Sequence, residues 1–222
     1  MISETFELSG RAVTVRGEEN ADFLLIQPMG DFEIKSAETE YEHMKKSGRY
    51  LFAAFEVKNW NDELSPWQAA PVWGNEPFGG KAEETLSFAI NELLPSLKEK
   101  YRLDDSIKTV IGGYSLAALF SLWAVYKTDA FYAAAAASPS VWFPEWTDFI
   151  TNNHPKAKKI YLSLGKKEEK TKNKAMAAVG DNIRKMYDII QSTTDTVLEW
   201  NEGGHFNSPD IRTARAFEWS AK

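Results

Sequence analysis

Residues 108–123 read KTVIGGYSLAALFSLW, and the change of character at Ser115 sets the fold. Before the serine, Lys108 to Gly112 is a β-forming run, and after it Leu116 to Tyr126 is an apolar helix-forming run. A strand that passes directly into a helix is the unit of a parallel sheet, because parallel neighbours need a crossover lying on the sheet face. The alternation continues downstream. Phe131 to Ala137, Lys159 to Leu164 and Thr196 to Trp200 read as strands, Asn173 to Gln191 as a helix, and the alanine run 133–137 as a tightly packed central strand. A last helix starts at Ser208-Pro209-Asp210, with Ser208 as the cap and Pro209 in the first turn. The expectation is an α/β fold with a mainly parallel central sheet flanked by helices on both faces.

Upstream of this stretch, Thr5 to Leu8, Arg11 to Arg16 and Phe23 to Gln27 are short β-like runs punctuated by Gly10 and Gly17, which predicts an antiparallel start. Ala37 to Lys46 reads as a helix, Tyr50 to Val57 as an apolar strand, and Lys81 to Tyr101 as a long helix kinked at Pro95. Between them lies Lys58 to Gly80, with three prolines, three glycines and the aromatics Trp60, Trp67, Trp73 and Phe78. A segment of that length without periodicity is either an Ω-loop packed by its own aromatics or a loop that contacts a ligand.

Composition narrows the class. The 222 residues, 43% hydrophobic and 26% charged, suit one soluble domain spanning residues 1–222. A net charge of -6 gives no positive footprint for nucleic acid. The absence of cysteine excludes a disulfide framework, a thiolate nucleophile and thiolate metal ligation. The amino-terminal MISETFELSG has neither a basic start nor an apolar core, so no membrane association and a cytoplasmic location are expected. Neither a zinc ligand set nor a phosphate-binding glycine loop is visible, so no metal or organic cofactor is expected.

Why the hydroxyl sits at that corner follows from its neighbours. Gly113 and Ala117 flank Ser115 at two positions on either side, the pattern GxSxG with alanine for the last glycine. Such an elbow holds the serine in a strained turn, and small flanking residues let strand and helix approach closely. The helix amino terminus then offers the Leu116 N–H to an oxyanion. A base must be one of three histidines. His43 lies on a polar helix, EYEHMKK, and His154 in a turn before a strand, whereas His205 in WNEGGHFNSPD lies just past a strand's carboxyl end, where reactive groups gather. His205 is therefore the candidate base. In IYLSLGKKEEKTKN, Glu168 is the preferred acid and Glu169 the runner-up. A second oxyanion donor falls to Met29 or Gly30 in LLIQPMGDFEI, since Pro28 has no N–H. Trp67, Trp73, Trp142 and Phe143 are candidate aromatic walls of a substrate cleft.

GGYSLAALF, SPSVWFPEW, LGKKEEKTKN and EGGHFNSP together resemble esterases of the α/β-hydrolase superfamily related to esterase D and to enterochelin esterases. The resemblance runs from about Gly112 to the carboxyl end. Two departures stand out: Ala117 in place of glycine, and no matching signature in the first 80 residues. It implies the α/β-hydrolase fold, Ser115 as nucleophile, Glu168 as charge-stabilising acid, His205 as general base and Trp142 at the cleft, acting on a small-molecule ester. Enterochelin-type members use basic residues to handle anionic siderophores. The regions assigned to this mouth are aromatic and lack arginine, which argues against siderophore hydrolysis. A catalytically silent binding module on the same fold, and an acyltransferase or peptidase using the same groups, are the competing readings.

Overall fold

Glycine-punctuated runs at the amino end build the first hairpin of the structure, a computed structural model that describes all residues except Phe32, Glu33, Lys35 and Trp73. Strands β1 (Ile2–Leu8) and β2 (Arg11–Gly17) pair antiparallel through a turn in which both Ser9 and Gly10 have positive φ, the geometry a tight hairpin demands. Then come β3 (Phe23–Gly30), α1 (Ser36–Met44) and β4 (Tyr50–Val57). Strand β4 inserts between β2 and β3, antiparallel to the first and parallel to the second. The antiparallel start therefore ends at β4, and Phe23 to Gln27 belongs to the parallel part. The physical reason is α1, a crossover that returns the chain in the same direction.

The 58–80 segment is more ordered than its composition predicts. It holds α2 (Trp60–Leu64) and a small antiparallel pair, β5 (Gln68–Ala69) with β6 (Phe78–Gly79). Asn59 caps α2 by accepting from the Asp62 N–H, while the Glu63 carboxylate accepts from the N–H groups of Lys58 and Asn59. That reciprocal cap in N-W-N-D-E was a readable helix signal. Downstream, α3 (Ala82–Phe88) and α4 (Leu94–Tyr101) are joined by a π-turn at Ala89–Leu93. Pro95 lacks an N–H, and the wider turn accommodates it without ending the helix.

The alternating half follows the expected pattern: β7 (Lys108–Tyr114), α5 (Ser115–Lys127), β8 (Ala133–Ala137), α6 (Trp146–Asn152), β9 (Lys159–Gly165), α7 (Lys174–Ala177), α8 (Val179–Ile190), β10 (Asp195–Asn201) and α9 (Pro209–Ser220). Helix α6 was not foreseen, and the Asn173 to Gln191 run divides at Ala178 into α7 and α8. Ser208 does not cap α9 with its side chain; its φ of 51° directs the chain into the helix and Pro209 occupies the first turn.

The eight-stranded sheet has the order β1-β2-β4-β3-β7-β8-β9-β10, parallel from β4 onward. The chain moves outward from β3 to β4 and returns to β7 on the other side of β3. In sheets of this kind ligands bind beyond the carboxyl ends of the strands flanking such a reversal, here β3 and β7. Alternate residues bury against opposite faces: Leu24 and Ile26 join the core under α3, α5 and α8, while Leu25 and Met29 join the one under α1 and α9. The five alanines of β8 are fully buried between the layers. Among the described residues, no helix is long and apolar enough to cross a membrane.

Candidate active site

The strand-to-helix passage at residue 115 is as tight as its small residues demand. Ser115 has φ 59°, a left-handed conformation costing on the order of 1–3 kcal/mol for a residue with a side chain. A Cβ on Gly113 would lie 2.7 Å from the Ala117 Cβ, so a larger side chain at either position forces strand and helix apart. Leu116 lies in the first turn of α5, where backbone N–H groups have no intrahelical acceptor.

Three loops deliver the other groups to the same rim. The Ser115 Oγ lies 3.0 Å from His205 Nε2, and His205 Nδ1 lies 2.7 Å from Glu168 Oε2. Glu168 is buried, with 5% of its side chain exposed. Burial pushes its carboxyl upward, but the His205 ring N–H and charge, then the Gly165 N–H and the Ser138 hydroxyl, outweigh that and hold it below the usual carboxylate value. An ionised carboxylate only accepts, so Nδ1 carries the imidazole proton and Nε2 is free to accept from Ser115. Glu169 turns the other way and pairs with Arg184 at 2.8 Å.

The second oxygen of Glu168 has its own partners. Oε1 accepts from the Gly165 N–H at 2.7 Å, the Ser138 hydroxyl at 2.8 Å and Arg212 Nη1 at 3.1 Å. Gly165 is required by this crowding: a Cβ there would sit 2.7 Å from the Gly203 carbonyl and 2.8 Å from Glu168 Oε1. Removing one partner of a buried pair such as Arg212–Glu168 costs about 3–5 kcal/mol. Ser140, two residues after Ser138, donates its N–H to the Ser115 carbonyl at 3.1 Å and places its hydroxyl 3.3 Å from the Ser115 Oγ. The Tyr114 hydroxyl donates to the His205 carbonyl at 2.5 Å.

Ser138, Ser140, Tyr114 and Arg212 escaped the sequence reading. SPS after a strand has no signal of its own, and the two arginines of SPDIRTARAF both read as ordinary helix charges.

The remaining candidates divide. Strand β3 pairs with β7 only as far as Ile26, so Pro28, Met29 and Gly30 continue alongside β4 with no register partner on the β7 side. Met29 buries its side chain completely. Phe143 is 2% exposed and packs edge-on against Phe78 and Trp67, a core position rather than a cleft wall. Trp67 is half-buried in the same cluster and donates Nε1–H to the Pro144 carbonyl at 3.1 Å, which anchors its loop. Trp142 keeps part of its ring exposed. Trp73 lies outside the described residues. Asn173 donates from Nδ2 to the Val72 carbonyl at 2.8 Å, tying the aromatic segment to the loop after Glu168. Among the described residues, no cluster of histidine and carboxylate side chains has metal-binding spacing.

Residues 35–205 match the model of a protein family described as "Putative esterase". The chain belongs to this esterase family, and it is a carboxylic ester hydrolase by that membership. No curated protein matches by sequence. Solved structures agree in fold at low identity. An IroE-like serine hydrolase from Shewanella oneidensis superposes with a TM-score of 0.77 at 14% identity, covering 98% of this chain and 79% of that one. The siderophore hydrolase EstB from Aspergillus nidulans gives 0.74 at 15%, over 99% and 94% of the two chains. The enterobactin esterase FES from Shigella flexneri gives 0.68 at 15%, over 99% of this chain and 59% of that one. The α/β-hydrolase fold of this esterase places its strained serine where β7 passes into α5.

Proposed function

We propose that this esterase hydrolyses a small-molecule carboxylic ester through an acyl-enzyme formed on Ser115. The observation that carries the reading is the continuous relay from Ser115 Oγ through His205 to Glu168, at 3.0 Å and 2.7 Å. His205 Nε2 takes the Ser115 proton as the oxygen attacks the ester carbonyl. The Leu116 N–H and that of Met29 or Gly30 hold the developing oxyanion. His205 returns the proton to the departing alcohol, and Glu168 stabilises the imidazolium between the two transfers. Water, deprotonated by His205, then attacks the acyl carbonyl and releases the acid and free Ser115.

Trp142 is the aromatic residue best placed to meet the substrate, since it follows Ser140 by two positions and keeps exposed surface. Two structural relatives are described as acting on siderophores or enterobactin. Against that substrate class here, the arginine at the site, Arg212, is 3% exposed and committed to Glu168, so it has no free face for an anionic ligand. The test is incubation with a fluorophosphonate followed by mass analysis, with turnover of short p-nitrophenyl esters beside catecholate esters. The expected outcome is a single adduct on Ser115 and preference for the uncharged esters. Folded protein that neither labels nor turns over any ester would point instead to a binding module, and product partitioning toward an added alcohol would point to acyl transfer.

A further inference from the structure

The loop that carries His205 lacks the apolar anchor expected of a segment holding a catalytic base: Phe206 is 92% exposed and Gly203 and Gly204 precede the histidine. Polar ties hold it instead. The Lys167 N–H donates to the Gly203 carbonyl at 2.9 Å, and the Tyr114 hydroxyl to the His205 carbonyl. A third tie comes from α9, where Arg212 Nη2 donates to the Glu202 carbonyl at 2.8 Å. The same guanidinium reaches Glu168 Oε1 at 3.1 Å, the Tyr114 hydroxyl at 3.1 Å and Ser138 Oγ at 3.3 Å through Nη1.

We propose that Arg212 is a positioning residue for the Ser115–His205–Glu168 relay, its buried guanidinium locking the acid and the histidine loop into the one arrangement that aims the imidazole at Ser115. This rests on the esterase mechanism above. Each of its partners belongs to a different segment of the site: the acid loop, the end of β7 beside the nucleophile, the end of β8, and the loop after β10. By engaging Oε1 it leaves Oε2 to the imidazole, so the carboxylate cannot rotate away from Nδ1. A planar fork does this, whereas a lysine ammonium is a single point donor on a flexible stem. Arg212 also lies beyond residues 35–205, the part of the chain that defines the family match.

The experiment is a double-mutant cycle on ester turnover with Arg212→Met, Glu168→Gln and the two combined, with Arg212→Lys alongside. Arg212→Met should lower kcat about 10–100-fold with KM within about two-fold, the signature of an interaction felt in the transition state. If the arginine acts through the acid, adding Arg212→Met to Glu168→Gln should cost less than about three-fold more, and Arg212→Lys should recover part of kcat. Losses that multiply in the combined variant, or a rise in KM at constant kcat, would overturn the proposal and leave Arg212 as a packing group. Should Arg212→Met fail to fold, the cycle is run with Arg212→Lys and Glu168→Gln, where multiplicative losses overturn it equally. A wild-type protein with neither turnover nor fluorophosphonate adduct overturns the esterase mechanism itself, and the Arg212 proposal falls with it.

Discussion

At the amino end of the parallel strands, Asp22, Phe23, Arg49 and Lys108 border an open cavity of about 560 Å³, and a neighbouring one of about 670 Å³ runs along α4 past Leu94, Lys98 and Ile107. At the carboxyl end, Ser115, His205, Glu168 and Arg212 are joined in series by hydrogen bonds. The amino-end charges are solvated: Arg49 and Asp22 pair at 2.5 Å with more than half of each side chain in water. The carboxyl-end charges are desolvated, which strengthens each contact and makes an unpaired group expensive. The two ends therefore differ in how their polar groups are held: paired in water at one, interlocked and buried at the other.

The largest expected effect tests that contrast directly. Ser115→Ala should reduce ester turnover by about 10³-fold or more, while Asp22→Asn at the opposite end should leave kcat/KM within about two-fold of wild type. Steady-state kinetics decide it, and a comparable loss in Asp22→Asn would dissolve the distinction between the two ends.

Next in size is a contrast between adjacent residues. Glu168→Gln should lower kcat about 10²–10⁴-fold, because the amide no longer stabilises the imidazolium, whereas Glu169→Gln should change it less than about three-fold. Equal effects would show that the loop rearranges so that Glu169 serves as the acid.

A smaller effect concerns stability. The folded Glu168 carboxyl lies below its ordinary value through its contacts to His205, Gly165 and Ser138, which outweigh burial. A depressed folded value means a contribution that is complete above the unfolded carboxylate value of about 4.3 and fades as pH falls through the lower folded one. Denaturant midpoints of wild type and Glu168→Gln, measured from pH 7 down to pH 3, should therefore converge on acidification. A gap that stays constant would show that the stabilisation does not come from the ionised form. The smallest effect belongs to the amino end, where Arg49→Ala should leave the denaturant midpoint within its experimental scatter, since water screens that pair.

Much of this is legible in the sequence. Strand and helix periodicity marks β7, α5 and β9, because these elements bury whole apolar runs and local pattern suffices. Ser115 stood out because an elbow constrains its neighbours to be small, and His205 because one histidine follows a strand's carboxyl end. Helix α6 and the split between α7 and α8 were not readable, since short helices of mixed composition are stabilised by what they pack against. The aromatic residues mislead in a particular way: Phe143 and Trp67 look like cleft walls by composition, yet they pack beside Phe78 and Phe149.

The chain's local pattern specified the strand-to-helix corner at Ser115, the placement of a glutamate and a histidine beyond later strands, and the alternation that makes the sheet parallel. It could not decide between Glu168 and Glu169, nor single out Arg212, because those depend on which side chain is desolvated when four distant segments meet. Periodicity is a property of neighbours along the chain, whereas the pairing of buried charges is a property of neighbours in space.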